Sequence, residues 1–305
     1  MDFGQKYEPK GNKIIHGAGQ SLEMFKEYWN AVENHKPALY MTYVKIQNLD
    51  NWIKNIKEEI KQFPNVMLQI GLNLRLDGKD KTKEISEGKY DKEFEILFRL
   101  IEEFSNPVFL RIGYEFDKKD KYNPETFVLA WRHIVDKFRL DNIQNIATVW
   151  CSCPYPGTSL VEPYYPGDNY VDWFGIDVFS KDYINESYKP TQDFLKLAEK
   201  HKKPVMIGES SPARIGVDKG EESWDDWFKV YFKLIEKNPI IKAFCYINWD
   251  WGKDWKQPEW LNGRIHENEI VRKNFIKELS KKKYIHNLPT EDFLKIVQTK
   301  KALKN

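Results

Sequence analysis

The chain has 305 residues, with 48 Lys and Arg against 46 Asp and Glu, so its formal net charge is +2. That balance gives no electrostatic reason to expect a nucleic-acid partner or an anionic membrane surface. No apolar run approaches the ~18 residues of a membrane-spanning helix, and 41% hydrophobic residues is too much for disorder.

Aromatic residues reach 15%, with 11 Trp, enough both to fill a core and to make flat platforms for sugar rings. Cys151 and Cys153 are too close to bridge without strain, and Cys245 leaves an odd count, so no disulfide framework is expected. The opening MDFGQKYEPKGNK lacks the charged-then-apolar order of a signal peptide. A cytoplasmic location follows from that, or a secreted or cell-surface one if a leader has been removed. A monomer is expected.

Eight apolar runs have strand length: KIIHGAG (13–19), ALYMTYV (38–44), VMLQIGL (66–72), VFLRIGYEF (108–116), IATVWC (146–151), VDWFGIDVF (171–179), PVMIGES (204–210) and IKAFCYINW (241–249). Helical spacing fills the gaps. Ser21 is placed to cap a helix carrying Leu22, Phe25, Trp29 and Val32, and Asp50 one carrying Ile53, Ile56, Ile60 and Phe63. Phe94, Leu97, Phe98 and Ile101 follow, then Phe127, Trp131, Ile134 and Phe138, then Phe194, Leu197 and Ala198. Trp227, Phe228, Tyr231, Leu234 and Ile235 make the next stripe, and Ile270, Phe275, Ile276 and Leu279 the last. Residues 152–170, rich in Pro and Gly, read as a loop, and 285–305 as a Lys-rich helical extension with a solvated face.

Strands alternating with helices predict parallel crossovers, and eight of them predict one (β/α)8 TIM barrel over residues 1–305. A doubly wound open sheet would carry a Gly-rich phosphate turn after its first strand, and HGAGQS (16–21) lacks the full spacing.

In such a barrel the chemistry lies at the C-terminal ends of the strands. Three ends carry working side chains: RIGYEFD (111–117), IGESSP (207–212) and INWDW (247–251). Alternation puts Val108, Leu110 and Ile112 towards the helices and Arg111, Gly113 and Glu115 towards the barrel axis. The seventh strand is apolar on both faces and ends in Glu209, whose parity stays open. Two carboxylates across a sugar-sized cleft suit glycoside hydrolysis, one protonated to donate to the leaving oxygen and one ionised to attack. A retaining pair needs a separation of ~5–5.5 Å and an inverting pair ~6.5–9.5 Å.

RIGYEFD, YNPETFVLAWRHIVDKFR (122–139), NIATVW (145–150), YYPGDNYVDWFGIDVF (164–179) and KPVMIGES (203–210) together resemble glycoside hydrolase family 26. The resemblance runs in order over residues 107–251 and is most specific in YPGD-x-YVD-x-x-GID. It implies a retaining (β/α)8 hydrolase of a β-linked polysaccharide, most often β-1,4-mannan, without a cofactor or a metal in the chemistry. It also implies Glu115 as acid/base, Glu209 as nucleophile, Arg111 holding their charge and geometry, and Trp249 as a stacking floor. Three departures stand out: Tyr114 replaces the usual His, Phe179 replaces a Tyr that bonds the nucleophile, and DKKDKYN (117–123) replaces a Trp-rich stretch. These leave β-1,3-xylan and mixed-linkage glucan open as substrates beside mannan.

Further sugar contacts are read at Asp177, inward on the sixth strand, at Tyr114, at His16 closing the first strand, and at Trp150, Phe179 and Trp251 at the ends of strands five, six and eight. Tyr164, Tyr165, Trp255 and Trp260 are loop aromatics suited to outer subsites, while His133 reads as structural. No His/Cys cluster has zinc spacing, DKKDKYNPE lacks the calcium-loop turn, and Ser210 and Ser211 lack a nucleophile elbow. Two rivals remain: a glycan-binding barrel without catalysis, and an aldolase-like barrel, for which Lys45 is the one candidate lysine.

Overall fold

Eight parallel strands close on themselves: β1 (Ile14–Gly19), β2 (Leu39–Lys45), β3 (Met67–Asn73), β4 (Val108–Ile112), β5 (Ile146–Ser152), β6 (Trp173–Val178), β7 (Val205–Ser210) and β8 (Ile241–Ile247). Each pairs with its sequence neighbour, and β8 returns to β1 with Ala243 opposite Ile15 and Ile247 opposite Gly19. This is the (β/α)8 barrel that the alternation of elements predicts. The computed structural model describes residues 1–104, 106–158 and 160–298.

The outer helices are α1 (Leu22–Ala31), α2 (Leu49–Ile60), α3 (Asp91–Glu103), α4 (Pro124–Leu140), α5 (Lys189–Lys200), α6 (Lys229–Lys237) and α7 (Glu269–Leu279). Ser21 caps α1 by accepting from Met24 N, and Asn123 caps α4 by accepting from Thr126 N, with Pro124 in the first turn. Asp50 is not a cap, because a 3-10 turn at Ile46–Asn48 starts α2 at Leu49 and leaves Asp50 inside its first turn. On α4 the buried stripe Phe127, Ala130, Trp131, Ile134, Val135 and Phe138 follows the helical repeat. Each large member contributes roughly 1.5–3 kcal/mol on burial. Between β5 and β6 the described residues hold one short 3-10 turn, Glu162–Tyr164, as the loop composition there predicts.

Strand parity sorts the interior into two cores. Val108, Leu110, Ile112, Phe174, Ile176, Val178, Phe244 and Tyr246 pack outwards on the helices. Ile15, Leu39, Met67, Phe109, Ala147, Trp173, Met206 and Ala243 fill the barrel axis.

The C-terminal segment is more than a solvated face. β9 (Tyr284–Ile285) pairs with Ile14 and Ile15, and α8 (Thr290–Ile296) follows. Ile285, Phe293 and Val297 are buried with the axial core, and Pro9 bridges Val297. Pro9 and residues 284–297 thus cover the N-terminal end of the barrel, opposite the mouth where the chemistry is sought. Residues 299–305 of the predicted extension lie outside the described residues.

Candidate active site

Arg111 is the centre of the mouth. It leaves β4 towards the axis, wholly buried, and one guanidinium serves two strands. Its Nη1 donates to Glu209 Oε1 on β7 at 2.9 Å, and its Nη2 donates to Asp177 Oδ2 on β6 and to Cys151 Sγ at 3.3 Å. A buried arginine needs such partners. Here two carboxylates share one positive charge. Burial, and after it the charge of Glu209, push the Asp177 carboxyl well above its ordinary range, against the pull of Arg111. Burial thus favours the protonated form of the deeper Asp177, while Glu209 sits nearer the rim with its Oε1 on the guanidinium.

Two backbone devices make this arrangement possible. Asp177 pairs in register with Glu209 across an irregularity, since Ile176 faces Ile207 and Gly208 is the extra residue. That bulge turns Glu209 inwards on a strand whose own pattern does not fix its parity. Gly208 must also be glycine, since a Cβ there would lie 2.7 Å from Asp177 Oδ1 and 2.9 Å from Arg111 Nε.

Glu115 reaches the mouth by a route different from strand alternation. β4 ends at Ile112, and Gly113 and Glu115 both take positive φ, +57° and +53°. Left-handed backbone in a non-glycine residue costs about 1–3 kcal/mol and needs over-determination by its surroundings. Two anchors supply it. Glu115 N donates to the Cys151 carbonyl at 2.7 Å, and Asp117 accepts from Ser152 Oγ at 2.7 Å and from Cys153 N at 3.0 Å. Phe116 meanwhile points out, stacked on Trp150 at 4.5 Å.

Glu115 and Glu209 have charged and aromatic neighbours in common. Asp177, Tyr114, Tyr155 and Lys118 each feel the charge of both. Tyr114, half-buried, sits under Arg111 with 5.0 Å from guanidinium carbon to ring centroid. Trp249, Trp251, Trp255 and Trp260 form a linked cluster past β8, with ring centroids 4.9–5.3 Å apart along it. Trp255 is 53% exposed, an open aromatic face beside the mouth.

Residues 72–221 match the family described as Glycosyl hydrolase family 26. Over this stretch, just under half of the chain, the sequence is similar to that family. It is 27% identical over 311 residues to a β-1,3-xylanase of a Vibrio species, covering 90% of this chain and 66% of that protein. It is 26% identical over 311 residues to a β-1,3-xylanase of an Alcaligenes species, covering 90% of this chain and 65% of that one. The chain thus spans just under two thirds of the length of these relatives. The structure of a modular endo-β-1,4-mannanase from Cellulomonas fimi superposes with a TM-score of 0.66 at 13% identity, over 94% of this chain and 75% of that one, a likeness of fold. No helix among the described residues is long and apolar enough to cross a membrane.

Not every residue read as a sugar contact lies at the mouth of this barrel. His16 is the third residue of β1, faces outwards and is fully buried; its Nε2 lies 2.6 Å from Tyr28 Oη and its Nδ1 3.1 Å from His286 Nδ1. Trp150 has outward parity on β5, is fully buried, and donates to the Tyr164 carbonyl at 3.1 Å within a ring cluster of Phe116, Tyr165, Phe174 and Phe194. Phe179 is 4% exposed and braces Trp251 and Trp260 from behind, while Trp251 is itself buried and bonds Ser211 Oγ at 2.9 Å. Neither presents a free face. Tyr164 is buried and Tyr165 is packed on Trp150, Phe174 and His201, so the family-specific YPGD stretch is a structural clamp: Arg132 Nε donates to the Pro166 carbonyl and Trp131 Nε1 to the Tyr170 carbonyl. His133 bonds Asp91 at 2.7 Å, and Lys45 is exposed at the end of β2.

Sequence reasoning missed Tyr43. Burial first, then the charge of Glu209, push the Tyr43 hydroxyl well above its ordinary range. The strand-six tyrosine that the family resemblance implies is Phe179 here, and a buried tyrosine hydroxyl from β2 feels the charge of Glu209 instead. Parity offered the signal, since Leu39, Met41 and Tyr43 alternate inwards opposite Tyr40 and Val44. Gly71 clears the space, because a Cβ there would be 2.6 Å from the Tyr43 ring and 3.1 Å from that of Tyr114.

Proposed function

We propose that this chain hydrolyses internal β-glycosidic bonds of a polysaccharide with retention of configuration. The observation that carries the reading is Arg111, buried beneath the mouth and bonded to Glu209, with Glu115 held over the same space by a strained turn. In the first step Glu209 attacks the anomeric carbon while Glu115 gives its proton to the leaving oxygen, and a glycosyl-enzyme forms. Glu115, now ionised, takes a proton from water, which attacks the same carbon and frees Glu209. Arg111 and Tyr43 hold the Glu209 carboxylate in attacking orientation, and Asp177 shares the guanidinium beneath it. Trp249 and Trp255 offer ring faces for stacked sugars.

Mannan is the substrate that the family resemblance points to first. The curated relatives that align over most of the chain carry the name β-1,3-xylanase, and this chain departs from the usual family pattern at Tyr114 and Phe179. Both facts favour a β-1,3-xylan backbone over β-1,4-mannan.

Reducing-sugar release from a panel of β-1,3-xylan, β-1,4-mannan and mixed-linkage glucan tests the reading. Activity on one backbone, lost in both Glu115→Ala and Glu209→Ala, is the expected result. Binding to a glycan with no release from any of them would leave a carbohydrate-binding barrel.

A further inference from the structure

The loop after β4 brings two ammonium groups to the proposed acid. Lys118 Nζ lies 2.5 Å from Glu115 Oε2, and Lys121 Nζ lies 4.0 Å from the same oxygen. Both heads are steered by rings: Lys121 is 4.6 Å from the Tyr114 centroid and 5.5 Å from that of Tyr122, and Lys118 is 5.6 Å from that of Tyr155. Lys121 also donates to the Tyr114 carbonyl, and its side chain is only 13% exposed, whereas that of Lys118 is 42% exposed. Arg75 pins the loop by donating from Nη1 to the Lys121 carbonyl at 3.0 Å.

This pairing conflicts with the work asked of Glu115. A general acid must bring its carboxyl oxygen to the leaving oxygen of the glycosidic bond, and here Lys118 is seated on Glu115 Oε2. Once Glu115 is neutral, two positive heads remain beside it in a partly buried pocket without their anion. Such charges need a replacement partner, and a neutral sugar hydroxyl is a poor one. An anionic oxygen group on the substrate would pair with the lysines and leave the Glu115 carboxyl free to meet the leaving oxygen. Burial works to lower both lysines; the Glu115 charge leaves Lys118 raised above its ordinary range, while Lys121 stays below. Lys118, the less buried of the two side chains, is the head with room to swing to a ligand.

We infer that Lys118 and Lys121 form a subsite for an anionic substituent, a carboxylate or sulfate ester on the sugar beside the scissile bond, and that its binding takes Lys118 off Glu115. The inference rests on the hydrolase reading above. It makes the preferred substrate an acidic β-glycan, in which the backbone is read by the rings and the substituent by the lysines.

The test compares kcat/KM of the full chain on matched oligosaccharides of the backbone it cleaves: unsubstituted, uronate-substituted and sulfated. The acidic forms are expected to be cleaved about tenfold better or more, the scale of one charge-assisted contact. The advantage should shrink with added salt and fall towards onefold in Lys118→Met and Lys121→Met, whose folding is checked by thermal melting. Gain from the uronate alone or the sulfate alone identifies which group the subsite takes. Equal or better turnover of the neutral glycan, or an acidic advantage untouched by either lysine substitution, would overturn the subsite and leave the hydrolase reading standing. Absence of cleavage in every arm would overturn both.

Discussion

Arg111 on β4 donates to Glu209 on β7 at 2.9 Å while its other amino nitrogen is held by Asp177 on β6, so three strands of the barrel are tied through one guanidinium. Neither carboxylate oxygen can shift without moving the arginine, and the arginine is itself fully buried. The orientation of Glu209 is therefore a property of the barrel and not of a loop.

Gly208 is the point at which that tie is most exposed to substitution. A methyl group there would overlap Asp177 Oδ1 and Arg111 Nε at 2.7 and 2.9 Å. Gly208→Ala is expected to lower kcat by at least ~100-fold and to destabilise the fold by about 1–3 kcal/mol, the range for overpacking a tight interior. Initial rates and a urea melt on the purified variant check both halves.

The Tyr43 hydroxyl lies within the field of Glu209 and is the group placed to bond that carboxylate where Phe179 cannot. Tyr43→Phe keeps the ring against Tyr114 and removes only the hydroxyl, so kcat should fall about tenfold, one hydrogen bond to a charged group. KM should move little. Phe179→Tyr in the same background should not restore the rate, because Phe179 faces the Trp251 and Trp260 rings.

Asp117 fastens the Glu115 turn to β5. Asp117→Ala removes the bonds to Ser152 Oγ and Cys153 N and leaves both donors buried, at a cost of about 1–3 kcal/mol. The strained φ at Glu115 then loses one of its two anchors. A fall in kcat larger than the fall in substrate affinity is expected, measurable by comparing turnover with oligosaccharide binding.

Acid should destabilise the barrel through a buried chain on the outer side of β1. Tyr28, His16 and His286 form a chain of neutral groups in which Tyr28 Oη donates to His16 Nε2, His16 Nδ1 to His286 Nδ1, and His286 Nε2 to the Leu279 carbonyl. Burial pulls His286 down to about 4 and His16 well below its ordinary value. The unfolded chain therefore binds more protons below pH ~6.5, so stability is full above that pH and is lost progressively as pH falls towards 4. The melting temperature should drop across this window, and His286→Asn should flatten the drop. A pH-independent melting temperature between 7 and 4 would contradict the neutral chain.

The barrel was legible because eight apolar runs and their helical partners each follow their own period. Arg111 and Asp177 were legible from the same alternation, since β4 and β6 are regular up to those residues. Glu115 and Glu209 were found at strand ends, but what aims them was not written in the pattern. One depends on positive φ at Gly113 and Glu115, the other on a bulge at Gly208. His16 and Trp150 were misplaced for a simpler reason. Both have outward parity, and an aromatic or imidazole ring near a strand end looks the same from sequence whether it meets a sugar or a helix. Tyr43 was readable by parity on β2 but lay where the family resemblance is weakest.

The most direct test of the catalytic reading is to trap the glycosyl-enzyme. The protein is incubated with a 2-deoxy-2-fluoro β-glycoside of the sugar it releases, then digested and analysed by peptide mass spectrometry. The account predicts the mass of one glycosyl unit on the peptide carrying Glu209, and no label in Glu209→Ala. Label on another residue, or turnover that yields the inverted anomer without any label, would contradict it.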